Sequence, residues 1–350
     1  MRLLIGRADL SRAISSVARV VESRNTIAIL SNIRLVAEDG RLTVTGTDLD
    51  IEATASVAAD ISVPGSCCVD AKLIADIAKK AGGDVAMELD DERLTIKSGR
   101  SAFKLATLPS TDFPTLDGGK YDATFDIDLA ALFAPVAFAI STEETRFYLN
   151  GVFFRGGKSV AVATDGHRLA KHKGPDLPEF AGIIVPRKTV GLIPKGSVNV
   201  SVSSSKIRIQ TTDLTLVSKL IDGTFPDYDR VIPRDNDKVI FFKSDEMRAA
   251  ADRVSVVSSE RGRAVRLDFG VGSATLTVNS PDSGSAVEEI SVGYAGDPVQ
   301  IGFNAKYLSE VVGIFPAGDI QMALADGGSP AVLKSDKAEG LLAVIMPMRV

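Results

Sequence analysis

Ala163-Thr164-Asp165-Gly166-His167-Arg168-Leu169 sits near the middle of the chain and closes an alternating run, Ser159-Val160-Ala161-Val162-Ala163. Alternation of that kind predicts a strand with one buried face. Thr-Asp-Gly then supplies turn chemistry. The pattern returns on either side. Gly46-Thr47-Asp48-Leu49 follows Leu42-Thr43-Val44-Thr45, and Asn279-Ser280-Pro281-Asp282 follows Ala274-Thr275-Leu276-Thr277-Val278. Asp165 lies 117 residues beyond Asp48, and Asp282 lies 117 beyond Asp165. Equal spacing predicts three structural repeats. A second mark keeps step with the first. Val69-Asp70-Ala71-Lys72, Val185-Pro186-Arg187-Lys188 and Phe303-Asn304-Ala305-Lys306 each set a lysine two residues into an expected helix, at intervals of 116 and 118 residues. Units of this length are small domains with cores of their own, not solenoid repeats.

The remaining composition sets bounds. The chain has 350 residues, 45% hydrophobic and 24% charged, as in soluble globular proteins. No stretch approaches a membrane span, and the opening Leu3-Leu4-Ile5 is too short for a signal sequence. The two cysteines, Cys67 and Cys68, are adjacent and would point to opposite faces of a strand, which argues against a disulfide and for the cytoplasm. There is no tryptophan and only two histidines, little material for a metal site or a histidine-based catalytic site. Net charge is −5, which by itself disfavours nucleic acid, but the distribution of charge over the surface decides that question.

Each unit reads as helix then strands, twice over. In the first, Leu10, Ala13, Ile14, Val17, Val20 and Val21 form an apolar stripe at helical spacing, with Arg12, Ser16, Arg19 and Ser23 opposite. Strands are expected over Asn32 to Val36 and Arg41 to Ser56, joined at Asp39-Gly40. A second helix starts at Asp70, a good N-cap, buries Leu73, Ile74, Ile77 and Ala81, and stops at Gly82-Gly83. Strands return over Val85 to Leu89, Arg93 to Ser98 and Ala102 to Leu108. In the second unit, the helix around Asp128 to Ile140 contains Pro135, which predicts a kink or break, and the helix after Pro186 ends by Pro194. Phe225-Pro226-Asp227-Tyr228 echoes Phe113-Pro114 and marks the next boundary. The third unit has a helix from Ser244 burying Met247, Ala250, Ala251 and Val254, and another from Asn304 burying Leu308, Val311 and Val312. The expected fold is α+β: three domains, residues 1–119, 120–236 and 237–350, each two helices backed by antiparallel sheets.

Two candidate chemistries follow from the residues. Asp165 with His167 could be an acid–base pair, but only the aspartate recurs between repeats, and an aspartate at a turn caps backbone amides. Lys72, Lys188 and Lys306, with Arg12, Arg19, Arg24, Lys79, Lys80, Arg187, Arg248 and Arg253, put cations on the polar faces of several helices, which suits phosphates if those faces turn one way. The terminal Met346-Pro347-Met348 suits an adaptable apolar binding surface.

Together these residues resemble a known family. Thr164-Asp165-Gly166-His167-Arg168-Leu169-Ala170, Phe225-Pro226-Asp227-Tyr228, Met346-Pro347-Met348-Arg349, Gly46-Thr47-Asp48-Leu49, Ser98-Gly99-Arg100-Ser101 and Tyr148-Leu149-Asn150-Gly151 are similar, in order along the whole chain, to the bacterial DNA polymerase III β subunits, the sliding clamps. The resemblance implies a head-to-tail homodimer forming a closed ring of six domains around double-stranded DNA, bound without regard to sequence. It implies a processivity factor with no catalytic residues, metal or cofactor of its own. Its partners would be the DNA polymerase III catalytic subunit, the clamp loader and other polymerases and repair proteins, each inserting a short peptide motif, with no membrane partner. The resemblance places the peptide pocket at Leu149, Thr164, Gly166, His167, Arg168, Leu169, Pro226, Arg230, Val231, Val344, Met346, Pro347, Met348 and Arg349. It places DNA contacts at Arg24, Arg146, Phe147 and Tyr148, with Lys72, Arg187 and Lys188 on the helix faces. The dimer seam would join Arg100, Phe103 and Leu105 of one subunit to Val256, Val257, Glu288 and Glu289 of the other. A peptide-binding scaffold that never touches DNA is the alternative from a different class; it predicts that reversing Lys72, Lys188 and Lys306 is harmless.

Overall fold

The computed structural model describes residues 1–22, 25–116, 119–258, 264–281 and 283–350. Three successive stretches of chain fold by one recipe: a strand, a helical segment, three antiparallel strands of a sheet, the sheet's fourth strand, a second helical segment, and three strands that rejoin the first; the first stretch adds one short strand before the sheet's fourth.

The first repeat runs β1 (Arg2–Ile5), α1 (Arg7–Ala18), β2 (Asn32–Glu38), β3 (Arg41–Thr47), β4 (Ile51–Ala58), β5 (Asp60–Val63), β6 (Gly65–Asp70), α2 (Ala71–Lys80), β7 (Val85–Asp90), β8 (Arg93–Ser98) and β9 (Ser101–Leu108). The second runs β10 (Ala123–Ile127), α3 (Leu129–Phe133), β11 (Gly151–Arg155), β12 (Gly157–Thr164), β13 (Arg168–Leu177), β14 (Ile183–Pro186), α4 (Arg187–Val190), β15 (Val198–Val202), β16 (Lys206–Gln210) and β17 (Leu214–Lys219). The third runs β18 (Lys238–Lys243), α5 (Ser244–Val254), β19 (Ala264–Gly270), β20 (Ser273–Ser280), β21 (Gly284–Ser291), β22 (Val299–Asn304), α6 (Ala305–Gly313), β23 (Asp319–Leu324), β24 (Ala331–Lys334) and β25 (Leu341–Ile345). Lys72, Lys188 and Lys306 each stand second in their helix, as the spacing predicts, and each is exposed.

The helices follow local chemistry. α1 buries Leu10, Ala13, Ile14 and Val17. Gly46 in β3 lets it lie close: a Cβ there would sit 2.7 Å from Val17 Cγ1. The Asp70 carboxylate caps α2 by accepting from Leu73 N–H at 2.7 Å. The Asn304 side chain caps α6 by accepting from Lys306 and Tyr307 N–H at 3.0 and 3.3 Å. Leu73 does not join the core as its apolar character suggests. Ala71, Ile74 and Ala78 carry the buried face of α2, and Leu73 is 50% exposed. The central repeat departs from two full helices. Pro135 has no N–H to continue the first, so α3 stops at Phe133 and the chain resumes as a 3-10 turn over Ala137–Ala139. α4 has only four residues.

Within the stretch Arg41 to Ser56 the chain makes two strands, β3 and β4, and Asp48 and Leu49 turn it between them, where the Thr-Asp pattern places a turn. The third hairpin is shorter than the other two. Thr47 pairs with Glu52 and Thr164 with Leu169, while Ser280 pairs with Gly284. Asp282, the expected counterpart of Asp48 and Asp165, lies outside the described residues.

The chain divides into two compact units, Met1–Leu129 with Gly191–Leu220, and Ala130–Val190 with Ile221–Val350. The first holds a thirteen-stranded sheet, ordered β10-β15-β16-β17-β4-β3-β2-β6-β9-β8-β7-β1-β5. In it β17 of the second repeat pairs antiparallel with β4 of the first, over Leu214↔Ala55 to Ser218↔Ile51. The second unit holds an eight-stranded sheet, β14-β11-β12-β13-β25-β24-β23-β18, and a four-stranded one, β21-β20-β19-β22. There β13 of the second repeat pairs with β25 of the third, over Arg168↔Ile345 to His172↔Leu341. α5 and α6 pack together over the third repeat's core of Phe242, Met247, Leu267, Phe303, Leu308 and Met322 among others. Cys67 and Cys68 are free and both buried in β6, where burial pushes their thiols up to about 12 and about 11.

Candidate functional site

The Thr164–Arg168 turn is fixed by its own side chains. Thr164 Oγ1 donates to the Arg168 carbonyl at 2.8 Å and accepts from Gly166 N–H at 3.1 Å. Asp165 Oδ1 accepts from His167 and Arg168 N–H at 2.9 and 3.0 Å. Gly166 takes φ +88°, a left-handed conformation that glycine adopts without strain. Asp165 is thus a capping residue, and its other oxygen accepts from Arg168 Nε at 3.1 Å. Both carboxylate oxygens are committed to holding structure.

Arg168 is the residue this turn positions. Its guanidinium is nearly buried, donates to Glu310 of α6 and, at 3.1 Å, to the Phe138 carbonyl, and lies 4.4 Å from the Tyr307 ring centroid and 5.0 Å from that of Phe138. A desolvated cation between two aromatic faces, with two carboxylates to neutralise it, holds one geometry. His167 also stacks on Tyr307, centroids 5.9 Å apart. Its carbonyl accepts from Met346 N–H at 2.8 Å, which ties the chain's tail to the turn. The tail continues over β22, where Met348 N–H donates to the Gly302 carbonyl at 2.7 Å. Gly302 is required there: a Cβ would lie 2.5 Å from the Met348 carbonyl oxygen.

Beside the turn is an apolar hollow of about 530 Å³. Its floor is Leu169 and Val344, neighbours across the β13–β25 ladder and part of a small core that includes Val160, Val162 and Val332. Its walls are Leu149, Thr164, Gly166, Arg168, Pro226, Arg230, Val231 and Met346. Asp227, Tyr228, Pro233 and Pro330 also line it, and the sequence reading omitted them. Tyr228 carried a signal, since Phe225-Pro226-Asp227-Tyr228 stood out as a boundary. Its ring packs in the small core, and burial, then Asp229, pushes its phenol above the ordinary value. Pro330 carried none. Of the residues expected at the pocket, His167, Pro347, Met348 and Arg349 lie outside this hollow, on the stretch around Tyr307 and Gly302.

The expected DNA-contacting residues fall into two groups. Lys72 is exposed on α2. Arg146, Phe147 and Tyr148 lie in a 3-10 segment, Glu144–Leu149, where Arg146 pairs with Glu143 at 3.2 Å and the two rings meet edge to face. Arg187 N–H donates to the Asn150 carbonyl at 3.0 Å, which brings Arg187 and Lys188 beside that segment. Arg24 lies outside the described residues.

Of the residues expected at a subunit seam, Phe103, Leu105, Glu288 and Glu289 lie on open strand edges. β9 pairs with β8 along its length, but with β6 only at Thr107 and Leu108, which leaves the edge at Phe103 and Leu105 open. Arg100 precedes it in the β8–β9 turn. β21 is the outer strand of its sheet. It carries Val287, 66% exposed, then Glu288 and Glu289, and Arg253 hydrogen bonds hold the Glu288 carboxyl below its usual range. Val256 beside α5 is 83% exposed, and Val257 packs on the core. Among the described residues no cluster of three or more His, Cys, Asp or Glu could hold a metal, and no helix is long and apolar enough to cross a membrane.

Comparison with known proteins accounts for the whole chain. Residues 1–117, 127–227 and 229–349 match the N-terminal, central and C-terminal domains of the DNA polymerase III beta subunit. The beta sliding clamp of Caulobacter vibrioides is 43% identical over 373 residues, and that of Escherichia coli K12 is 35% identical over 366, each covering 100% of both chains. Among solved structures, the sliding clamp of Bartonella birtlesii bound to griselimycin superposes with a TM-score of 0.97 at 39% identity, covering 100% of both chains. A Caulobacter crescentus clamp with polyethylene glycol bound gives 0.95 at 42%, covering 100% of this chain and 99% of that one. Three repeats in register, a Thr-Asp-Gly-His-Arg turn beside an apolar hollow, and these relatives agree: the chain belongs to the bacterial DNA polymerase III β-subunit family and is a DNA sliding clamp.

Proposed function

We propose that two copies close head to tail into a ring of six repeats, β9 of each copy against β21 of the other, and that duplex DNA threads the ring. The observation that carries this reading is the exposed lysine at the second position of the second helix in every repeat. Cations recurring at one place in each repeat suit a polymer whose charge is regular and whose sequence is irrelevant, and backbone contacts of this kind permit sliding. The two strand edges are complementary in kind. Phe103 and Leu105 alternate with Lys104 on one, and Val287 adjoins Glu288 and Glu289 on the other. A heterologous contact of that type closes when the rotation permits.

The hollow beside the Thr164–Arg168 turn takes a short peptide from a polymerase, a clamp loader or a repair protein. An apolar cleft with a few fixed polar groups is the ordinary form of such a site. No acid–base chemistry is assigned to the chain; its work is tethering, in the cytoplasm. The test is retention on nicked circular against linear DNA after loading with a clamp loader and ATP. Retention on the circle that is lost on linearisation is the expected result. Equal salt-resistant retention on both would mean direct gripping and would overturn the ring. A mass measurement reading only monomer at micromolar concentration, with the fold intact, would overturn the dimer.

A further inference from the structure

On the outer face of the eight-stranded sheet, side chains stand in cross-strand rows. One row is Thr164, Leu169, Val344, Val332 and Ala323, successive partners from β12 to β23. It is apolar apart from Thr164 and includes the floor of the hollow. The next row, two residues along each strand and so about 7 Å away, is Val162, Lys171, Leu342, Lys334 and Gln321. Lys173 follows on the same face of β13. One step along the ladder therefore brings lysines, Lys171 and Lys334, onto a floor that was apolar.

Lys171, Leu342 and Lys334 of that second row floor a separate hollow of about 360 Å³, which Lys173, Arg234, Asp229 and Ile232 also line. The segment that roofs the apolar hollow with Tyr228 and Val231 also supplies Asp229, Ile232 and Arg234 here, so the two hollows share one wall. Lys171 is already neutralised: it pairs with Asp229 at 2.6 Å and lies over the Tyr228 ring. Among the described residues, Lys173, Arg234 and Lys334 have no carboxylate within ion-pair distance, and all three are exposed. The hollow thus offers three uncompensated cations around apolar Ile232 and Leu342.

The geometry points to this hollow as a second subsite for the docked peptide, one that takes acidic side chains flanking its apolar anchor. The inference rests on the peptide reading of the neighbouring hollow. An extended peptide leaving that hollow advances by the same two-residue step as the floor, so carboxylates beside the anchor reach the cationic row. A continuous phosphodiester strand fits less well, since Asp229 and two apolar side chains interrupt the cations.

Fluorescence anisotropy with labelled decapeptides tests it. The probes carry a Leu-Leu-Phe anchor and either Asp-Glu-Asp or Asn-Gln-Asn on one side, with each flank placed N-terminal and C-terminal in turn. At low salt the acidic flank should tighten binding by about tenfold in one of the two placements, from a few modest surface pairs. The gain should fade at half-molar salt. The triple variant K173Q/R234Q/K334Q should bind the Asn-Gln-Asn peptide as wild type does and lose the acidic advantage. Its melting curve, unchanged because all three side chains are exposed, guards against misfolding. Equal affinity for both flanks in both placements, with the anchor still binding, would overturn the acidic subsite and leave the apolar pocket standing. Binding of neither peptide would bring down the pocket and this inference together. Displacement of the acidic flank's advantage by a single-stranded oligonucleotide at lower concentration than by free Asp-Glu-Asp would reassign the hollow to phosphates.

Discussion

Two turns 117 residues apart are built alike and do different work. Thr47 and Thr164 each donate their hydroxyl to the carbonyl four residues on, at 2.8 Å in both. Asp48 and Asp165 each cap two backbone N–H groups. Leu49 and Gly166 both take a positive φ, +78° and +88°. The fifth position separates them. In the first turn it is Ile51, buried in the sheet; in the second it is Arg168, clamped between Tyr307 and Phe138 at the pocket wall. The backbone recipe belongs to the repeat; what differs is the side chain it presents, buried Ile51 in one turn and, at the wall of the proposed peptide pocket, Arg168 in the other.

The largest expected effects are therefore at the fifth position. Ile51→Ala should cost about 3 kcal/mol through the cavity it leaves. Arg168→Ala should cost a similar amount, about 3 kcal/mol, because Glu310 and Asp165 lose their partner. Only the second should weaken binding of an anchor peptide, by more than about tenfold. Denaturant unfolding with peptide anisotropy on both variants checks this, and equal loss of peptide binding would erase the proposed division of labour.

The capping aspartates come next. Asp48→Ala should cost about 1 kcal/mol for its two amides. Asp165→Ala should cost about 2 kcal/mol, since it also strips a partner from Arg168. An Asp165→Ala cost that is the same in the Arg168→Ala background would mean that the Asp165–Arg168 contact adds nothing. At the third position the same exchange should run in opposite directions. Gly166→Leu should cost about 1–2 kcal/mol in backbone strain and crowds Arg146, whose Nη1 lies 2.9 Å from a Cβ built there. Leu49→Gly should change stability by less than about 1 kcal/mol, because relieved strain offsets lost chain stiffness. Melting curves for the pair would show whether the two turns are held equally hard. The smallest effect is at Lys219, which pairs with Asp50 of the first turn in the open; Lys219→Ala should shift stability by less than about 0.5 kcal/mol.

The turns were legible because their chemistry is local: Thr-Asp followed by a strand needs no tertiary knowledge. So were the helix-start lysines, the Asp70 cap and the break at Pro135. The floor of the pocket was legible only through resemblance, since Leu169 and Val344 meet through the β13–β25 ladder, which no periodicity announces. Phe138, Tyr307 and Glu310 around Arg168 were missed for the same reason: each is ordinary in its own segment and matters only where α6 meets the turn. Leu73 misled because an apolar residue early in a helix need not face its core.

The pairing of β17 with β4, and of β13 with β25, has a consequence for anyone who would take the molecule apart. Borders drawn from the repeat are not seams in the material. A gene cut between the first and second repeats severs five backbone pairings at β4, and one between the second and third severs five at β13. Each fragment would carry a raw sheet edge, the kind that recruits a second molecule. An isolated repeat of this chain should thus be sticky, prone to strand exchange and aggregation, while the intact chain keeps those edges spliced.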